Sequence, residues 1–451
     1  MLFREISEGI NNWYKNEEKT TLLVTGARQT GKTYIIREFL KEKAHSFVEF
    51  NLLENDAARF AIESSSNAQE FLLKLSALSK TPLEKGKTVI FIDEIQSALD
   101  IATKIKFLVE DGSFRYIMSG SLLGVELKNV TSLPVGYMHI LYMYPMNFYE
   151  FCIANKVSAQ ILSYLKKQFE SLQPVDETVH NQMLKLFNLY LIVGGLPAAV
   201  DAFVESNDIQ KVNQVHEYLD QLYREDISKY DTEKNLLIKD IYDLIPSELN
   251  NPNKRFVLKN LNEKVRFYQF EESFVWLKDS GVGLFAYNVD EPVYPLLASK
   301  ERTLFKLFLC DVGLLTFKLF DDSAIKILNG QVNVNFGSIY EAAVAQELTC
   351  RNFDLFYYNS KKNGEVDFIT QEHEKVLPIE VKSGKDYKRH VALDNLLSCS
   401  YKIEKAYTLC NGNVEVKGKR IYLPIYMLTF LSNRKKSEQF IYKPDLSALV
   451  K

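Results

Sequence analysis

Over the first 150 residues, short β-rich apolar runs alternate with stretches whose apolar residues recur three and four positions apart. Residues 22–25, 47–51, 89–92 and 116–118 predict buried strands of a parallel sheet, since such strands are covered on both faces. Residues 33–43 and 101–110 predict helices between them. This alternation predicts an α/β domain of three layers over residues 1–150.

The pattern changes twice further on. Residues 151–300 are largely helical, punctuated by Gly194-Gly195-Leu196-Pro197, where two glycines and a proline stop a helix. Within this block, 236–244, 256–261 and 271–280 predict three short helices and 281–289 a strand, the succession of a winged helix. Residues 301–451 predict a mixed α+β domain, with a helix over 336–350 and strands over 364–370 and 376–381. No internal repeat or low-complexity segment appears.

The loop after the first strand carries Gly26-Ala27-Arg28-Gln29-Thr30-Gly31-Lys32-Thr33, a complete G-x-x-x-x-G-K-[ST] motif between a strand and an amphipathic helix. Gly26 and Gly31 let the backbone turn so that its N–H groups face the phosphates of ATP. Lys32 supplies a charge to the β- and γ-phosphates. Thr33 offers a hydroxyl to magnesium and opens a helix whose positive end faces the anion. A second strand, residues 88–92, ends in Asp93 and Glu94. Carboxylates at the carboxyl end of a buried parallel strand lie in the ligand crevice, so Asp93 is the expected magnesium partner and Glu94 the expected general base. Ser119-Gly120-Ser121 closes the next strand, and Ser121 is a further candidate for contact with ATP.

Composition narrows the class. Of 451 residues, 46% are hydrophobic and 25% charged, which excludes a disordered or collagen-like chain. The length suits about three domains. Without an eighteen-residue apolar stretch or an apolar leader after Met1, the expectation is a cytoplasmic protein with no membrane partner. Cys152, Cys310, Cys350, Cys399 and Cys410 are unclustered, as reduced thiols would be. The net charge of −3 does not mark a nucleic-acid binder. Residues 201–250 are acidic, whereas Lys417, Lys419, Arg420, Arg434, Lys435 and Lys436 make the last fifty basic.

A hairpin centred between His373 and Glu374 would set Asp367 opposite Glu380, and Lys382 would share the face of Glu380. Glu341 shares a helix side with Ala345 and Leu348, where a carboxylate must be paired or hold a metal. Two or three carboxylates and a lysine suit metal-assisted phosphodiester hydrolysis, with Glu341, Asp367 and Glu380 as metal ligands and Lys382 on the water.

The P-loop, Ile92-Asp93-Glu94-Ile95-Gln96, Ser119-Gly120-Ser121 and Pro145-Met146-Asn147-Phe148-Tyr149-Glu150-Phe151 together resemble prokaryotic AAA-superfamily ATPases with a C-terminal restriction-nuclease-like domain of unknown function. Gly194-Gly195-Leu196-Pro197, Asp311-Val312-Gly313-Leu314-Leu315, Glu365-Val366-Asp367-Phe368 and Ile379-Glu380-Val381-Lys382-Ser383 extend the resemblance over nearly the whole chain. It implies a P-loop NTPase, a helical middle and a nuclease-like end. Family members often carry a basic residue after Pro134-Val135-Gly136, where this chain has Tyr137. If that residue is a charge-neutralising finger, hydrolysis here is slowed.

In the expected winged helix, the third helix holds Glu271, Glu272 and Asp279 against Lys278, which favours packing or protein contact over the DNA groove. Lys254, Arg255, Lys259, Lys264 and Arg266 precede it as candidate phosphate contacts. Three functions stay open: an ATPase controlling a nuclease that acts on DNA, a nucleotide-gated switch that binds DNA or protein without cutting, and a scaffold that assembles with partners or with copies of itself.

Overall fold

The computed structural model describes residues 2–16, 20–98, 100–121, 136–229, 235–261, 267, 270–324, 336–384 and 387–433. Lys264, Arg266, Pro134, Val135, Arg434, Lys435 and Lys436 lie outside the described residues.

Five strands, β1 (Thr21–Thr25), β2 (Ser46–Asn51), β3 (Thr88–Asp93), β4 (Arg115–Gly120) and β5 (Met138–Tyr142), form a sheet in the order β2-β3-β4-β1-β5, every neighbouring pair parallel. Alternate residues feed opposite faces. Leu22, Val24, Val89 and Phe91 pack on Ile35, Ile36 and Leu40 of the helix Lys32–Lys43. Leu23, Ile90 and Ile92 pack on Ile62, Phe71, Ile105 and Leu108 from the helices Asp56–Glu63, Ala68–Leu78 and Asp100–Asp111. The expected three layers follow from this double burial. Because β4 lies between β1 and β3, the P-loop, Ser119 and Asp93 meet at the carboxyl ends of the strands.

The second sheet has eight strands: β6 (Gly283–Val289), β7 (Lys300–Leu309), β8 (Phe356–Ser360), β9 (Gly364–Glu372), β10 (Lys375–Val381), β11 (Ala406–Cys410), β12 (Glu415–Lys417) and β13 (Arg420–Pro424). Their order is β12-β13-β11-β10-β9-β8-β6-β7. The winged helix is corrected here. β6, expected as its wing, is an interior strand, antiparallel to β7 and parallel to β8. It is buried on both faces, so only a sheet interior suits it. Residues 256–261 form one 3-10 turn, Leu258–Asn260, rather than a helix, and the Phe256 N–H donates to the Phe305 carbonyl of β7 at 3.1 Å. Among the described residues, no helix is long and apolar enough to cross a membrane.

One buried junction ties the parts together. The helix Glu177–Val193 ends at Gly194, whose φ of 71° is the left-handed conformation glycine tolerates. The Gly195 carbonyl accepts from the Met146 N–H at 2.6 Å, and the Gly195 N–H donates to Asp311 Oδ2 at 2.6 Å. Asp311 Oδ1 caps the helix Val312–Phe320 through the Leu314 N–H at 2.9 Å. Gln346, on the helix Gly337–Cys350, accepts from the Val312 N–H at 2.8 Å and donates to the Met146 carbonyl at 3.3 Å.

A methyl group at Gly195 would lie 2.0 Å from the Met146 carbonyl oxygen. Gly195→Ala is therefore expected to destabilise the chain by about 1–3 kcal/mol, the usual cost of overpacking. An unchanged urea midpoint would contradict this.

Candidate functional site

The P-loop is shaped by close approach. Gly26 has φ 144°, and a Cβ there would lie 2.1 Å from the Met143 carbonyl oxygen, while Gly31 has φ 91°. Thr30 Oγ1 donates to the Ala27 carbonyl at 3.0 Å, and Arg4 Nη1 donates to the Thr30 carbonyl at 2.6 Å. Gln29 sits at φ 63° and lines the cleft. Lys32 Nζ donates to the carbonyls of Ala27 at 2.7 Å and Gly26 at 3.0 Å. Its ammonium thus rests in the loop beside the space that phosphates would take. Burial lowers its pKa to about 8, against the pull of Glu94 and Asp93.

Thr33 Oγ1 donates to Asp93 Oδ2 at 2.9 Å, and the Ser119 hydroxyl donates to Asp93 Oδ1. Two hard oxygen donors at the edge of a phosphate loop fit magnesium, which binds one or two protein groups and completes its shell with phosphates and water. Glu94 adopts φ 57°, which turns its carboxylate into the cleft. Its Oε2 accepts from the Gln96 amide, which also lies 3.4 Å from Ser121 Oγ.

The cleft, of about 410 Å³, is lined by Arg28, Lys32, Thr33, Glu94, Tyr218 and Leu222 among others. Its far wall is the helix Ile209–Lys229, whose contribution the sequence reading missed. Tyr223 Oη donates to the Arg28 carbonyl at 3.1 Å, and Asp226 Oδ1 accepts from Arg28 Nη1 at 2.5 Å. Burial raises the Asp226 carboxyl above its ordinary pKa, and Arg28 opposes that rise. A signal was present. Tyr218, Leu222 and Asp226 recur every four residues, the spacing of one helix face.

The C-terminal set departs from expectation in its partners. β9 and β10 pair with Lys375 opposite Glu372 and Ile379 opposite Phe368, a register centred between residues 373 and 374. Asp367 Oδ2 accepts from the Val381 N–H at 2.8 Å, and Lys382 Nζ lies 2.7 Å from Glu380 Oε1. Glu341, expected as a metal ligand, pairs instead with Lys254 and, at 3.2 Å, with Lys306. Lys306 is 0% exposed and also lies 2.8 Å from Glu365. Burial pushes the Glu341 carboxyl up, but Lys306 and Lys254 outweigh it and hold the group below its ordinary range. Burial, then Glu341 and Glu380, push Asp367 well above its own. Among the described residues, no group of three His, Cys, Asp or Glu side chains is arranged to hold a metal. Ammonium groups thus match Glu341, whereas Asp367 stays raised and one buried oxygen of Glu380 has no hydrogen-bond partner, so a metal at these acids stays an expectation. Lys306 escaped the sequence reading because its strand, β7, begins with a charged run, Lys300-Glu301-Arg302. Of the candidate phosphate contacts, Lys254 is held by Glu341, and Arg255 lies 3.7 Å from Glu365.

Lys32→Ala is expected to weaken ATP binding by about 10–150-fold with an unchanged circular dichroism spectrum, since it removes a charge-assisted contact of about 1.5–3 kcal/mol. Wild-type affinity in calorimetry would contradict this. Phosphates beside Lys32 should raise its pKa again, so binding takes up a proton once the free lysine deprotonates. ATP affinity should be constant from pH 7.5 to about 8 and then fall as pH rises. Binding enthalpies at pH 9 should vary with the buffer's ionisation enthalpy, and a buffer-independent enthalpy there would refute the linkage.

Residues 18–152 match the family model described as an AAA domain. Residues 184–323 and 336–428 match two models described as domains of unknown function, DUF8612 and DUF4143. A comparison with curated proteins found no match. Among solved structures, the chain is similar to the Walker-type ATPase of Pyrococcus abyssi, at 12% identity over 70% of this chain and 96% of that one, with a TM-score of 0.43. It is also similar to AMPPCP-bound DnaA from Aquifex aeolicus, at 12% identity over 62% and 87% of the two chains, with a TM-score of 0.30. Likeness to Drosophila ORC bound to DNA is 15% identity over 73% and 94%, with a TM-score of 0.24. Residues 18–152, with their P-loop between a strand and a helix and their five-stranded parallel sheet, thus match an AAA domain.

Proposed function

We propose that the chain hydrolyses ATP with magnesium, and that its nucleotide state gates a C-terminal domain that binds a partner without cutting it. The observation that carries the reading is the convergence of Lys32, the Thr33–Asp93 pair and Glu94 on one cleft.

Lys32 would leave the Ala27 and Gly26 carbonyls for the β- and γ-phosphates. Thr33 and Asp93 would hold magnesium, which when bound neutralises phosphate charge. Ser119 fixes the Asp93 carboxylate from its other side. Glu94 has one oxygen engaged by Gln96, which leaves the other to orient the attacking water and take its proton.

The C-terminal sheet, with Asp367, Glu380 and Lys382 close together, supports kinship with restriction-nuclease-like domains. The ion pairs of Lys306 with Glu341 and Glu365 support a domain that keeps that framework without the metal chemistry. DNA and protein are both candidate partners.

Glu94→Gln is expected to retain ATP while phosphate release slows by about 10²–10⁴-fold. Release at the wild-type rate would exclude Glu94 as the base. Purified full-length protein with magnesium or manganese, with or without ATP, should leave supercoiled plasmid intact. Nicking that disappears in Asp367→Ala would restore the nuclease reading.

A further inference from the structure

We propose that Arg28 is the arginine that stabilises the γ-phosphate during hydrolysis, and that Asp226 competes with that phosphate for it. This rests on the ATPase reading above and assigns two residues to it.

Hydrolysis gathers negative charge on the γ-phosphoryl oxygens, and an arginine beside them contributes strongly. The position at which relatives were expected to carry a basic residue holds Tyr137. Its hydroxyl donates to Glu110 at 2.9 Å, away from the residues that line the cleft. Among the described residues, two guanidinium groups line the cleft, those of Arg28 and Arg37. Arg37 is committed to Glu49 through contacts of 2.6, 2.8 and 2.9 Å on the exposed side of its helix. Arg28 belongs to the P-loop itself. Its side chain is 26% exposed, and its Nε lies 3.4 Å from Ser121 Oγ, beside Glu94 and Lys32.

In the nucleotide-free chain Arg28 is held by Asp226, whose side chain is only 4% exposed. A carboxylate so buried is costly without its cation. When ATP brings a γ-phosphate to the guanidinium, two anions compete for one fork of donors. Asp226 then loses its partner, and the end of the helix Ile209–Lys229 that carries it is left with the Tyr223 hydrogen bond as its tie to the P-loop. Departure of the γ-phosphate after hydrolysis returns Arg28 to Asp226. Asp226 is thus a positioning residue acting through Arg28, and ADP does not compete with it.

The test uses full-length protein with Arg28→Ala, Arg28→Lys, Asp226→Asn and the Arg28→Ala/Asp226→Asn double variant. Phosphate release and calorimetric affinities for magnesium ATP and magnesium ADP are measured for each. Arg28→Ala should lower kcat by about 10²–10³-fold, the scale of removing one transition-state donor, with KM changed only several-fold. Arg28→Lys should recover part of that loss and covers the case in which Arg28→Ala does not fold. Asp226→Asn should tighten ATP several-fold and leave ADP unchanged, and the double variant should match Arg28→Ala. An unchanged ATP-to-ADP affinity ratio in Asp226→Asn, or a double variant that binds ATP several-fold more tightly than Arg28→Ala, would overturn the competition. An unchanged kcat in both Arg28 variants would overturn the role of Arg28. If wild-type protein releases no phosphate, the ATPase reading fails, while the affinity ratio still decides the competition.

Discussion

A carboxylate with no exposed surface must be met by donors, and Asp311 sets the arrangement of this molecule by that requirement. Its two oxygens take the N–H groups of Gly195 and Leu314, and Gln346 adds its amide at 3.4 Å. Burial still pushes the Asp311 carboxyl up, and the neighbouring His216 works against that rise. The donors come from a helix end, a helix start and a helix middle far apart in sequence. Met146, at the exit of the ATPase sheet, is bonded into the same junction. Side chains cannot be added at Gly194, Gly195 or Gly313 without collision.

From this junction a continuous path runs to the nucleotide cleft. The helix Val312–Phe320, capped by Asp311, meets the helix Ile209–Lys229 through Lys318 on Asp220 at 2.7 Å and Phe317 against His216. That helix reaches the P-loop through Tyr223 and Asp226. The same junction leads through Gln346 to the helix of Glu341, and so to Lys306 and the C-terminal acids. The two ends differ in electrostatic state. The P-loop end holds a lysine and an arginine on partners that phosphate can replace, whereas the C-terminal end pairs Glu341 with two lysines and leaves one buried oxygen of Glu380 without a hydrogen-bond partner.

What the sequence made legible was local. The P-loop, the carboxylates closing β3 and the symmetric turn between β9 and β10 are each written in a few consecutive residues, and the backbone follows them. The pairings between distant segments were not legible. Asp226 on Arg28 and Lys306 on Glu341 are separated by 198 and 35 residues, and no periodicity reports which charge meets which. β6 was misread because an apolar strand after short helices fits a wing as well as a sheet interior. Only its partners β7 and β8 decide between them. The motifs Gly194-Gly195-Leu196-Pro197 and Asp311-Val312-Gly313 were visible as words, but that they touch was not.

The central claim is that nucleotide state is read at the P-loop by the helix Ile209–Lys229. Hydrogen–deuterium exchange of the full-length Glu94→Gln protein, with magnesium ATP, with magnesium ADP and without nucleotide, tests it most directly. The expected result is faster exchange over residues 223–229 in ATP than in ADP or without nucleotide, with exchange over residues 312–320 unchanged. Equal exchange over 223–229 in all three states, or a change spread uniformly along the chain, would contradict it.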